Sequence, residues 1–129
     1  MQESSHQLNI FLVENHPDTL TYLGRYLEQR GHSVAVARDM ETALAALPTT
    51  PTDVLICDIG LPDGDGWELM RRLGVNSALP FAIAMSGYGT ASECARSLAV
   101  GYRHHLVKPF VPEELDALLD EAAKSAPAP

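Results

Sequence analysis

Short apolar runs of strand length alternate with amphipathic stretches of helix length five times along this chain, and every crossover between successive runs is too long for a hairpin. The first run is Leu8 to Val13. Pro17 then stands where a helix can begin, Leu20, Leu23 and Leu27 fall at i, i+3 and i+7 with Tyr26 alongside, and Gly31 supplies the stop. Ser33 to Ala37 alternates as a second strand, and Asp39 can cap a helix carrying Met40, Ala43, Leu44 and Leu47 that the segment from Pro48 to Pro51 breaks. Asp53 to Cys57 is a third strand; a loop rich in Gly, Pro and Asp (58–66) leads to a helix marked by Trp67, Leu69, Met70 and Leu73. Pro80 to Met85 is the fourth strand, and Thr90 or Ser92 can open a helix bearing Cys94, Ala95 and Leu98 that Gly101 ends. Residues 102–107 give a fifth strand, and Pro112, Glu113 and Glu114 suit the first turn of a last helix.

Such alternation predicts a doubly wound α/β domain: a five-stranded parallel sheet with helices on both faces. At 129 residues one domain is expected, running from 8 to 124, with an N-terminal extension at 1–7 and a C-terminal tail or linker, SAPAP, at 125–129. The net charge is −8, with no Lys/Arg cluster longer than Arg71-Arg72, which argues against direct nucleic-acid binding. MQESSHQL has no signal-peptide pattern and no apolar run approaches the ~20 residues of a membrane span, so the expected location is cytoplasmic. Cys57 and Cys94 form no CxxC and read as free thiols, while His104 and His105, adjacent in a strand, are expected on opposite faces.

In sheets of this kind ligands bind beyond the carboxyl ends of the strands. Those ends carry Glu14 and Asn15 after strand 1, Asp58 after strand 3, Ser86 after strand 4, and Lys108 before Pro109 after strand 5. An acid, a second acid, a hydroxyl and a lysine suit phosphoryl transfer onto a carboxylate. Asp58 is the candidate nucleophile, Glu14 can hold Mg²⁺, and Lys108 and Ser86 can meet the oxygens of the arriving phosphoryl group.

With "VENHPDT", "DVLICDIGLPDGDGWEL", "AMSGYG" and "GYRHHLVKPF" at those ends, the chain resembles a receiver domain of a two-component response regulator over nearly its whole length. The resemblance implies a flavodoxin-like (βα)5 fold with strand order 2-1-3-4-5. It implies that Asp58 accepts a phosphoryl group from a histidine kinase or a histidine phosphotransfer domain, with Mg²⁺ (or Mn²⁺) held by Glu14, Asn15, Asp58 and the Gly60 carbonyl. Such a domain is no ordinary enzyme; it catalyses its own phosphorylation from phosphohistidine and its own dephosphorylation. Ser86 takes the place of the switch hydroxyl, Lys108 that of the family lysine, and the Lys108-Pro109 bond is expected to be cis. Phosphorylation would shift the surface from strand 4 to helix 5 toward a form that binds a downstream protein or a fused domain, with a homodimer through helix 4, strand 5 and helix 5 as one outcome.

Two positions depart from the family pattern. Asn15 replaces one acid of a pair, so the site has two carboxylates where three are usual; weak Mg²⁺ binding with retained phosphorylation is expected. His105 stands where receivers often carry Tyr or Phe, and reads either as a switching side chain or as an exposed strand residue. Both departures favour an alternative of another class, a receiver-like protein-binding module that works without phosphorylation, whereas Asp58, Ser86 and Lys108 favour the phosphoacceptor. "DGDGWE" is no calcium loop, because the EF-hand register puts Leu61 and Arg72 at its anchor positions, so Asp63 and Asp65 read as turn residues. "GYGTAS" lacks the third glycine of a dinucleotide fingerprint, and no P-loop motif is present.

Overall fold

The computed structural model describes residues 7–76, 78–87 and 89–125; most of the expected N-terminal extension and the last four residues of the tail lie outside them. Five strands, β1 (Asn9–Val13), β2 (Ser33–Ala37), β3 (Val54–Asp58), β4 (Phe81–Ser86) and β5 (His104–Val107), form one parallel sheet in the order β2-β1-β3-β4-β5. Among the described residues the crossovers are α1 (Pro17–Gln29), α2 (Met40–Ala46), α3 (Gly66–Asn76) and α4 (Ala91–Val100), and α5 (Glu113–Ser125) follows β5. The expected doubly wound architecture and strand order are therefore observed.

Alternation along the central strands divides the core in two. Phe11, Val13, Leu55, Cys57, Ala82 and Ala84 pack on one face with Met40 and Ala43 of α2, Leu69 and Met70 of α3, and Tyr102. Ile10, Leu12, Val54, Ile56, Ile83 and Met85 pack on the other with Leu23 and Leu27 of α1 and Leu115 and Leu119 of α5. Burying one such large aliphatic side chain contributes about 1.5–3 kcal/mol.

Side-chain caps fix where the helices start. Asp39 accepts from the Thr42 N–H at 2.7 Å and Thr90 Oγ1 from the Glu93 N–H at 3.1 Å. Asp63, in the loop after β3, accepts from the N–H groups of Met40 and Glu41 at 2.7 and 2.9 Å; these bonds hold its carboxyl below the usual carboxylate range. Asp65 accepts from the Glu68 N–H at 2.7 Å in the first turn of α3. Both acids of "DGDGWE" are thus committed to helix N-termini. Gly101, at φ 118°, ends α4 in a left-handed conformation that suits glycine.

The expected apolar face of α4 is off by one position. Leu98 is 57% exposed, while Ser97 is fully buried against the sheet; a polar side chain can hold that position because Trp67 and His105 bond its hydroxyl. β5 begins at His104 rather than at 102, since Tyr102 turns inward and its hydroxyl donates to the Gly66 carbonyl at 2.7 Å. Ser125 closes α5 instead of opening the tail.

The starts of β1 and β2 are joined by His32, whose Nδ1 accepts from the Leu8 N–H at 3.1 Å. Burial lowers the His32 pKa from its ordinary 6.5, against the pull of Asp116 and Asp120 in the other direction. Because the unfolded chain then takes up the proton first, the stability due to neutral His32 is complete above pH 6.5 and is lost as pH falls through 6.5 toward the lower folded value. Urea unfolding across this window should show wild type losing stability relative to His32→Gln, which accepts a hydrogen bond without titrating. Parallel pH profiles would contradict it.

Candidate functional site

Parallel pairing brings the ends of β1, β3, β4 and β5 to one edge of the sheet. Val13 is level with Cys57 and Asp58 with Met85, so Glu14 and Asp58, each at the end of its strand, become neighbours. The Glu14 N–H donates to the Ala37 carbonyl at 3.0 Å, and the Lys108 N–H to the Ser86 carbonyl at 2.7 Å, extending the ladder to the site.

Lys108 connects the acids. Its Nζ donates to Glu14 Oε1 at 2.7 Å and to Asp58 Oδ2 at 2.8 Å. Glu14 is 1% exposed, and its second oxygen, Oε2, accepts from the His16 N–H at 3.0 Å. The Asp58 side chain is 13% exposed, and Oδ1 accepts from the Gly60 N–H at 3.0 Å. Burial pulls the Lys108 pKa down, but hydrogen bonds and charge from Asp58 and Glu14 outweigh it and leave the ammonium group above its ordinary value. The group stays charged, and its single positive charge is shared between the two acids.

Asp58 ends β3 as its last residue, one position inside the strand rather than beyond it. The Ile59 N–H bonds the Met85 carbonyl at 2.8 Å and the Gly66 N–H bonds the Ile59 carbonyl at 2.9 Å, closing the loop tightly over the acid. Gly66 is needed there: a Cβ would lie 2.9 Å from the Asp58 carbonyl oxygen. Cys57 points away from the site into the core, and burial pushes its thiol up to about 12.

Ser86 ends β4, buried, with Oγ 2.8 Å from His105 Nε2. His105 is half-buried and its Nδ1 lies 2.8 Å from Ser97 Oγ, so it is not the exposed strand residue that was one reading of its position. His104 faces the other side, 3.0 Å from Glu121 on α5. Asn15 sits on the exposed rim next to Glu14, where its side chain makes no hydrogen bond with the described residues. The Lys108-Pro109 peptide bond is cis.

A family model, response regulator receiver domain, matches residues 10–120. The chain belongs to that family. This receiver domain is 33% identical over 124 residues to an uncharacterized 14.6 kDa protein of Leptolyngbya boryana, covering 94% of each chain. It is 36% identical to the KDP operon transcriptional regulatory protein KdpE of Escherichia coli K12, covering 94% of this chain and 56% of that one. A two-component response regulator from Clostridium difficile superposes with a TM-score of 0.87 at 25% identity, over 92% of this chain and 98% of the other. The chain therefore spans nearly all of the first relative and about half of the transcriptional regulator.

The receiver's strand-end residues Glu14, Asp58 and Lys108 are joined directly, Ser86 and His105 form a second bonded pair, and Asn15 and the exposed Gly60 lie at the rim. Sequence reasoning missed Ser97 and the hydrogen-bonding role of Trp67. The available signal was spacing: Cys94, Ser97 and Val100 recur every three residues, and the first apolar reading of α4 passed over the polar member.

Proposed function

We propose that this receiver domain is a phosphoacceptor that takes a phosphoryl group onto Asp58 from the phosphohistidine of a histidine kinase or a histidine phosphotransfer domain. The observation that carries this is the Lys108 ammonium between Asp58 and Glu14 at 2.8 and 2.7 Å. An Asp58 carboxylate oxygen attacks phosphorus, the P–O bond forms as the P–N bond breaks, and the electron pair leaves with the donor's imidazole. Lys108 supplies a positive charge already in place for the added oxygens, and Ser86 supplies a hydroxyl donor. Attack by water on phosphorus breaks its bond to the Asp58 oxygen, releases inorganic phosphate, returns the carboxylate and resets the domain.

Glu14, Asn15, Asp58 and the Gly60 carbonyl offer oxygen donors alone, the set a hard cation takes. Each Glu14 oxygen accepts one hydrogen bond and keeps a further lone pair, so the bonds to Lys108 and His16 leave room for a cation. Mg²⁺, or Mn²⁺ in its place, would supply further neutralisation of the phosphoryl oxygens. Output runs through the surface of β4, α4, β5 and α5, where Leu98, Val107 and Val111 expose apolar side chains suited to a downstream protein, a fused domain or a second copy of the chain. Such a cycle belongs in the cytoplasm, and among the described residues no helix is long and apolar enough to cross a membrane.

Incubation with acetyl phosphate and Mg²⁺ should add the mass of one phosphoryl group to the intact wild-type chain and none to Asp58→Asn. Equal labelling of the two, or none in wild type, would leave the phosphorylation-independent binding module as the reading. In a separate calorimetric titration, Asn15→Asp should bind Mg²⁺ several-fold more tightly than wild type, because it restores a third carboxylate. Equal affinities would remove charge count as the explanation.

A further inference from the structure

Four polar groups from four different elements stand in one line behind the site. Trp67 Nε1 of α3 donates to Ser97 Oγ of α4 at 2.9 Å. Ser97 Oγ lies 2.8 Å from His105 Nδ1 of β5, and His105 Nε2 lies 2.8 Å from Ser86 Oγ at the end of β4. Ser97 is fully buried, and Trp67 is the one tryptophan of the chain.

The chemistry of the first group fixes the direction of the rest. An indole nitrogen has a hydrogen to give and no lone pair with which to accept, so Ser97 Oγ is the acceptor of that bond. Among the described residues, the remaining group within hydrogen-bond distance of Ser97 Oγ is His105 Nδ1. A buried hydroxyl must place its hydrogen somewhere, and this one has Nδ1 as its acceptor. With Nδ1 accepting, the neutral ring carries its hydrogen on Nε2, and Nε2–H donates to Ser86 Oγ. The Ser86 hydrogen is then not consumed by the imidazole. With the opposite polarity it would be, since Nε2 would be the acceptor.

We propose that His105 is a positioning residue for phosphoryl transfer: oriented by Trp67 and Ser97, it donates to Ser86 Oγ and so does not take the hydrogen that Ser86 gives to a phosphoryl oxygen on Asp58. The role rests on the phosphoacceptor reading above. It differs from that of an aromatic ring at this place, because phenylalanine has no N–H to give to Ser86 Oγ. Donation into the Ser86 oxygen also polarises its O–H, which strengthens the bond that hydroxyl makes in turn.

Two measurements on the full chain test it. In ¹⁵N-histidine-labelled protein in mildly alkaline buffer without phosphodonor, the His105 ring, assigned by its loss in His105→Phe, should be the Nε2–H tautomer. Trp67→Phe, which removes the indole donor, should give a mixture. A wild-type ring mainly in the Nδ1–H form overturns the proposal whatever the labelling shows. With acetyl phosphate and Mg²⁺, folded Ser97→Ala and His105→Phe should label at Asp58 about tenfold more slowly than wild type, the size expected for one misdirected hydrogen bond to a charged group. His105→Gln, whose amide keeps an N–H donor, should recover part of the rate. Equal rates in all variants, with Asp58→Asn unlabelled, overturn the positioning role alone. A wild type that takes no label overturns the phosphoacceptor reading beneath it.

Discussion

One ammonium group, Lys108 Nζ, lies within hydrogen-bond distance of two carboxylates that belong to two different strands. Glu14 is almost wholly buried, and a buried charge without a partner costs several kcal/mol, about 3–5 when one member of such a pair is removed. The lysine therefore makes it possible for two acids, one of them almost wholly buried, to occupy the same edge of a sheet. The sheet returns the favour, because parallel pairing with β3 central puts the ends of β1 and β3 side by side and that of β5 one strand beyond β4, from which the long lysine side chain reaches both acids. Fold and site depend on each other at this contact.

The loop after β3 links that contact to the rest of the molecule. Its acids are tied to helix N-termini, Asp63 to α2 and Asp65 to α3, and Gly66 lets α3 start against the Asp58 carbonyl. The Tyr102 hydroxyl then bonds Gly66 from beyond α4. Groups on α2, α3 and the turn from α4 into β5 thus converge on the backbone that carries Asp58, so a change of charge at that carboxylate acts on a loop held from several sides. The exposed apolar residues of α4, β5 and the turn into α5 lie outside this convergence, where a rearrangement has room to be read by another molecule.

Helix number and the strand-end residues were legible because apolar periodicity and cap residues report directly on backbone environment, whereas the strand order followed from the family resemblance. Leu8 to Val13 and Pro80 to Met85 are short, dense apolar runs that read as buried strands, and Asp39, Gly101 and Thr90, the first of two cap candidates for α4, cap as their chemistry suggests. The α4 face was not legible, because burying Ser97 while exposing Leu98 reverses the hydropathic expectation and depends on two partners from other elements, Trp67 of α3 and His105 of β5. The same holds for His105: its half-buried place between Ser86 and Ser97 comes from three elements meeting, and no local pattern carries that information. The exposure of Asn15 follows from the turn into α1 rather than from residue type.

The most direct measurement is a double-mutant cycle on unfolding free energy with Glu14→Gln, Lys108→Met and the double variant, by urea denaturation at neutral pH. If the ammonium is held between Glu14 and Asp58 as described, the two changes are coupled, and the double variant is less destabilised than the sum of the singles by about 1–3 kcal/mol. Additive losses would mean that Lys108 and Glu14 act independently, and the shared charge at the centre of this site would have to be abandoned.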